Sequence, residues 1–220
     1  MKFIKSMSSE DWYRRKSWSA NDKQAFMDRL GRSRSNYHKS QYLRIQAYEL
    51  VNHIKKPLYN EALDLLELLI SQYSDKSQLA ETFIQRAECY LSLNQYILAL
   101  QAVEKALESQ RNYPNIHTRA YQLFAEIILK LKLIPRYSEA LMVIDEFAYH
   151  ESFPVEIYKT ARARALIYDG IGKTELAKLF ANQALEAQRM SESPFKYQKK
   201  LGLVHTPDSR MHQRLLQLCS

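Results

Sequence analysis

Glycine occurs four times and proline six times in these 220 residues, too few for the many tight turns a strand-rich fold requires. Cysteine occurs twice, as Cys89 and Cys219. The two lie far apart and lack the paired spacing of a metal site or a disulfide framework, so reduced thiols in a cytosol are expected. Long apolar runs are also missing. The opening Met1-Lys2-Phe3-Ile4-Lys5-Ser6 is charged but has no apolar stretch of signal-peptide length, and nothing later approaches the roughly 20 apolar residues of a membrane span. A cytoplasmic location without a membrane partner is the expectation.

Chemistry-bearing motifs are equally scarce. The six histidines, His38, His53, His117, His150, His205 and His212, include no pair at three- or four-residue spacing, and no metal site is expected. There is no glycine-rich phosphate loop, no strand-turn-helix nucleophile elbow and no cysteine beside a base in sequence. A non-catalytic protein without a cofactor is the reading; an enzyme would need titratable side chains that converge only in space.

What the chain does have is an ordinary globular balance, 46% hydrophobic and 25% charged. Its length suits one large domain or two small ones, and a compact fold of this size buries roughly 70% of the surface its unfolded chain exposes. The net charge of +8 is unevenly placed. Residues 1–39 have ten Lys/Arg against four Asp/Glu, residues 40–189 seventeen against eighteen, and residues 190–220 five against two. The body is therefore neutral and the flanks are basic.

One phrase recurs along the body: Tyr59-Asn-Glu-Ala62-Leu63, Tyr96-Ile-Leu-Ala99-Leu100, Tyr137-Ser-Glu-Ala140-Leu141 and, more weakly, Thr174-Glu-Leu-Ala177-Lys178. The alanines are 37, 41 and 37 residues apart, and each opens a segment with apolar residues at helical spacing, such as Leu100, Val103 and Leu107. Amphipathic stretches precede them at 43–54, 79–93, 116–133 and 155–171, with small residues at Ala47, Ala87, Ala125 and Ala165. From each of these to its partner alanine the distance is 15, 12, 15 and 12 residues, so long and short hairpins alternate. Pro57, Pro114, Pro135 and Pro154 all fall between the expected helices, where a missing amide donor does no harm.

An aromatic three residues before the second-helix alanine, and a further alanine seven residues after it at Ala106 and Ala184, make these units resemble tetratricopeptide repeats. The best-matching copies are Phe83, Ala87, Tyr90, Tyr96, Ala99, Ala106 and Ala161, Ala165, Tyr168, Gly172, Ala177, Ala184. The other two copies depart by three extra residues between the small positions and by Leu69 and Phe147 where a small residue belongs. The resemblance covers about residues 40–189. It implies an all-α, right-handed solenoid of about four antiparallel helix pairs over 39–190, with a basic helical cap segment at 1–38 and a linker and capping helix at 191–220. One such pair cannot bury its apolar face alone, so neighbours must stack and the ends must be covered. A generic helical bundle would also be rich in alanine, but would not repeat an aromatic at a fixed offset.

The flanks have cap signals. Ser9-Glu10-Asp11 opens a segment holding Trp12, Asn21-Asp22-Lys23-Gln24 reads as a capping box before Phe26, Met27 and Leu30, and two short helices are expected there. The run Tyr37 to Tyr48 is expected to continue into the first repeat helix. Thr206-Pro207-Asp208 reads as the start of a last helix bearing Met211, Leu215 and Leu218.

In the family, the first helices of successive repeats line a concave groove. The resemblance would place Arg44, Tyr48, Asn52, Glu81, Gln85, Glu88, Arg119, Gln122, Glu126, Lys159 and Arg162 along it, a mixed-charge surface for a protein or peptide partner. The lysines and asparagines by which some relatives clamp a C-terminal carboxylate are not reproduced, and the same side chains would equally serve as solvated helix faces. A scaffold or adaptor is the leading expectation, and a bacterial immunity or regulatory protein is a narrower form of it. The alternative is a nucleic-acid binder working through Trp12-Tyr13-Arg14-Arg15-Lys16-Ser17-Trp18 with Arg29, Arg32, Arg34, Tyr37 and His38, where cations mix with aromatics as in single-strand binders; an anionic protein partner is a further reading of the same cations. Those aromatics would serve equally as the apolar side of a cap. Oligomeric state is not readable from the residues.

Overall fold

The computed structural model describes residues 12–205 and 209–219, and among them there are ten α-helices and no strand. None of these helices is long and apolar enough to cross a membrane. The chain divides into two compact units, Met1–Ala120 and Tyr121–Ser220.

The first unit holds α1 (Ala20–Arg32), α2 (Asn36–Asn52), α3 (Tyr59–Gln72), α4 (Lys76–Ser92) and α5 (Tyr96–Asn112). Helix α2 packs on α3, α3 on α4 and α4 on α5. Short polar side chains start three of them by accepting an otherwise orphaned amide: Ser19 from Asp22, Ser35 from His38 and Asp75 from Ser77. The box at α1 is built by Ser19 and Asp22, two residues earlier than the expected Asn21–Gln24 box, because the serine hydroxyl can reach the Asp22 amide at 3.2 Å while the Asp22 carboxylate returns to the Ser19 amide at 2.9 Å. Residues 12–19 run as turns and extended chain rather than the first short helix expected there; Ser9, Glu10 and Asp11 lie outside the described residues.

The second unit holds α6 (Ala120–Lys130, opening on the last residue of the first unit), α7 (Tyr137–Phe147), α8 (Pro154–Gly170), α9 (Thr174–Arg189) and α10 (Ser209–Cys219), with 3-10 turns at Ile134–Arg136 and Ala148–His150. Helix α8 packs on α9 and on α7, and α10 on α9 and α8. Pro154 occupies the first turn of α8, where its missing amide costs nothing. The Glu156 carboxylate accepts from the Phe153 amide at 3.1 Å. The expected helix start at Thr206–Asp208 lies outside the described residues. On α10, Leu215 is buried in the cluster of Tyr158, Ala161, Ala165 and Ala184, with Leu218 packed against it.

All eight alanines that define the repeats, Ala47, Ala62, Ala87, Ala99, Ala125, Ala140, Ala165 and Ala177, are at most 2% exposed. A methyl group is the largest side chain that leaves two helix backbones this close. Tyr137, the aromatic ahead of Ala140, is buried as well; a Cβ at Gly170 would sit 2.5 Å from its Cε2 atom, so the glycine on α8 makes room for the ring.

Three helix ends share one turn. The amides of Gln95, Leu133 and Lys173 donate to the carbonyls five residues back, Tyr90, Ile128 and Tyr168, at 2.8, 3.0 and 2.9 Å. The residue before each amide, Asn94, Lys132 or Gly172, has φ of 59°, 52° or 74°. This left-handed residue reverses the chain and satisfies the last carbonyls of the helix. After Lys132 the chain winds the three-residue turn Ile134–Arg136 before α7 starts, and this accounts for the three extra residues between Ala125 and Ala140. Between α2 and α3 the extra length is the loop after α2, closed by the Leu58 amide on the Leu50 carbonyl at 3.0 Å.

Candidate functional site

Helix α4 presents two stripes. Gln85, Glu88 and Cys89 follow one another at three- and one-residue steps on one side, and Phe83, Arg86 and Tyr90 form a second strip whose centre lies more than a third of a turn around from the first. The first stripe lines a recess together with Ala47, Tyr48, Val51 and Asn52 of α2 and Leu66 of α3. Its volume is about 20 Å³, room for one water or one methyl group.

The recess has an apolar floor of Ala47, Val51, Leu66 and Cys89 and a polar rim of Tyr48, Asn52, Gln85 and Glu88. Tyr48 is exposed and meets His53 edge to face at 5.6 Å. Gln85 is only 7% exposed, yet its Oε1 atom has no donor. Such an acceptor in a closed wall loses about 1–3 kcal/mol until an N–H or O–H reaches it. Glu88 pairs with Arg119, which holds the carboxylate at the rim. Burial pushes the Cys89 thiol up to about 11, so it is a neutral apolar lining group at ordinary pH.

Four of the residues projected onto the concave face, Tyr48, Asn52, Gln85 and Glu88, are thus brought to one recess, with Arg119 at its edge. Arg44 is turned elsewhere: its Nε donates to Gln78 Oε1 at 2.9 Å, tying α2 to α4. Glu81 is half-buried on α4. In the second unit Gln122 is buried, and its side-chain Nε2, with two hydrogens to donate, lies 3.1–3.2 Å from the Tyr121 hydroxyl, Glu151, the Glu156 carbonyl and Thr160. Tyr121 also donates to Glu151 at 2.7 Å; burial, then this carboxylate, raises the phenol far above its ordinary range. Arg162 is 7% exposed, lies 5.4 Å over the Tyr158 ring and pairs with Glu126 at 2.8 Å. Lys159 is half-buried. These side chains are largely committed to one another.

The N-terminal segment is committed too. Trp12 packs within 5.6 Å of Tyr13, Phe26 and Tyr42, and Trp18 packs on Phe26 at 5.5 Å. Arg14 pairs with Glu49 at 3.1 Å and Arg15 with Asp22 at 2.8 Å. Lys16, Arg29, Arg32 and Arg34 are exposed, and no ion pair among the described residues involves them.

No protein-family model matches the chain, and no significantly similar protein was found among curated sequences or solved structures. The floor of the recess was not legible as part of a site, because Ala47, Val51, Leu66 and Cys89 read in sequence only as core positions. The unpaired Gln85 oxygen left no signal either, since a donor is gained or missed only in three dimensions.

Proposed function

We propose that the chain is a non-catalytic protein-interaction module, a right-handed stack of antiparallel, tetratricopeptide-like helix pairs that holds a peptide segment of a protein partner along the face of its first helices. The observation that supports it most directly is the recess at α4. A small apolar side chain fits its floor, and the polar groups of Tyr48, Asn52 and Glu88 at the rim would face the adjoining peptide backbone. Tyr48 and Arg119 at the rim are residue types that dominate binding energy in protein interfaces. The test is quantitative capture of partners from a native extract with the wild-type chain, with Tyr48→Ala, and with Arg119→Ala. A specific protein partner retained by the wild type and lost by these variants is expected. No protein whose capture depends on them would end this reading.

A second reading has its own observation: the exposed Lys16, Arg29, Arg32 and Arg34 form a cationic surface on and around α1. It would bind nucleic acid chiefly through phosphates, because Trp12, Tyr13 and Trp18 are packed in the core cluster and only Tyr37 of the aromatics there is exposed. Affinity should then fall steeply with salt, and a mobility-shift assay without binding at about 50 mM salt would dispose of it.

A further inference from the structure

The other stripe of α4 borders a second, larger cleft. Phe83, Arg86 and Tyr90 face Leu98, Gln101, Ala102 and Lys105 of α5 around a cavity of about 80 Å³. The α5 residues recur at three, one and three positions, so they form one continuous strip opposite the α4 strip.

The lining is chemically one-sided. It has two cations and no acid. Arg86 donates Nη2 to the Tyr90 hydroxyl at 3.2 Å and pairs through Nη1 with Glu67 of α3 at 3.0 Å. Its Nε is buried and has no acceptor. The Tyr90 hydroxyl, having accepted from Arg86, still has its own hydrogen to donate. Lys105 is exposed, with Nζ 5.9 Å from the centre of the Phe83 ring, and the Gln101 amide adds two more donors. Phe83, Leu98 and Ala102 complete the wall with apolar surface, and Leu98 remains 42% exposed although it lines the cleft.

From this arrangement we propose that the cleft between α4 and α5 binds a carboxylate borne on a short apolar chain. The charge supports a single negative group: Glu67 already offsets Arg86, leaving about one uncompensated positive charge for a singly charged, planar acceptor. A cavity of about 80 Å³ that opens to solvent has room for a carboxylate and two or three carbons. The chemistry is shared by a free short-chain acid and by a glutamate side chain of a docked protein. This site is separate from the recess at Gln85 and does not depend on it.

The test is a titration of the full-length, isotope-labelled chain followed by amide NMR shifts, with butyrate as the probe. Saturable shifts at Phe83, Arg86, Gln101 and Lys105 are expected, with a Kd of about 1–10 mM for so small a ligand. Lys105→Met should weaken binding about threefold, and Lys105→Glu more, while Lys105→Arg retains it. All three changes fall at an exposed position and leave the core untouched. N-acetyl-glutamate amide binding more tightly than butyrate would assign the acid to a protein side chain, and the reverse order to a free acid. The proposal is overturned if n-butanol or inorganic phosphate binds as tightly as butyrate, if the shifts do not saturate, or if Lys105→Met leaves the affinity unchanged.

Discussion

The side chain of Gln46 and the backbone of Arg15 exchange two hydrogen bonds, Arg15 N–H to Gln46 Oε1 and Gln46 Nε2 to the Arg15 carbonyl, each at 2.9 Å. Gln46 is fully buried on α2, and this pair fastens the N-terminal segment while Trp12 packs beside it. Gln46→Leu keeps the volume but strands both backbone groups. A loss of about 2 kcal/mol in urea unfolding is expected, with a red shift of tryptophan emission; a loss below about 0.5 kcal/mol would mean that the aromatics alone hold the segment.

Lys132 is a left-handed residue without the freedom of glycine, and that conformation costs a side-chain-bearing residue about 1–2 kcal/mol. Lys132→Gly should therefore stabilise the chain by about 1 kcal/mol, and Gly172→Ala, at the equivalent turn, should destabilise it by a similar amount. Thermal unfolding of the two variants checks the pair of opposite signs.

Ala99 and Ala177 are fully buried at helix contacts. Enlarging either to leucine should cost about 1–3 kcal/mol or more through overpacking. Asn182→Leu, at an exposed position of α9, should change stability by no more than about 0.5 kcal/mol. Equal effects at all three positions would refute the close-packing account of the repeat.

Cys89 is buried, and its thiol is pushed from 9.0 up to about 11. In the unfolded chain it loses its proton first, so between about pH 9 and 11 the unfolded state binds fewer protons and stability falls as pH rises; below that window the contribution is complete and flat. Cys89→Ala should make the alkaline decline shallower when unfolding is compared from pH 8 to 10.5. At pH 8, alkylation of Cys89 should be about a hundredfold slower than that of an unperturbed thiol, with Cys219 reacting first in a mass-spectrometric time course.

Much of the architecture was legible because helix contacts of this kind need alanine at fixed places: Ala62, Ala99, Ala140 and Ala177 mark the starts of α3, α5, α7 and α9 to within three residues. The start of α1 was misplaced because two competing caps lay two residues apart and only backbone geometry chose Ser19. The candidate site was half legible. Tyr48, Asn52, Gln85 and Glu88 line one small recess, whereas Gln122 and Arg162 found partners within their own unit. Arg86, Tyr90 and Lys105 were passed over, since a cation at helical spacing from an aromatic is an ordinary surface pattern until a neighbouring helix closes a wall around it.

The 3-10 turn Ile134–Arg136 keeps its three residues outside both α6 and α7. Extra chain there lengthens the joint and leaves the alanines on either side in phase, whereas the same three residues added inside α7 would swing the face beyond them about 60° out of register and shift it along the axis. This joint is accordingly a place where the chain can be lengthened, and where a reporter group can be grafted with the flanking helices undisturbed.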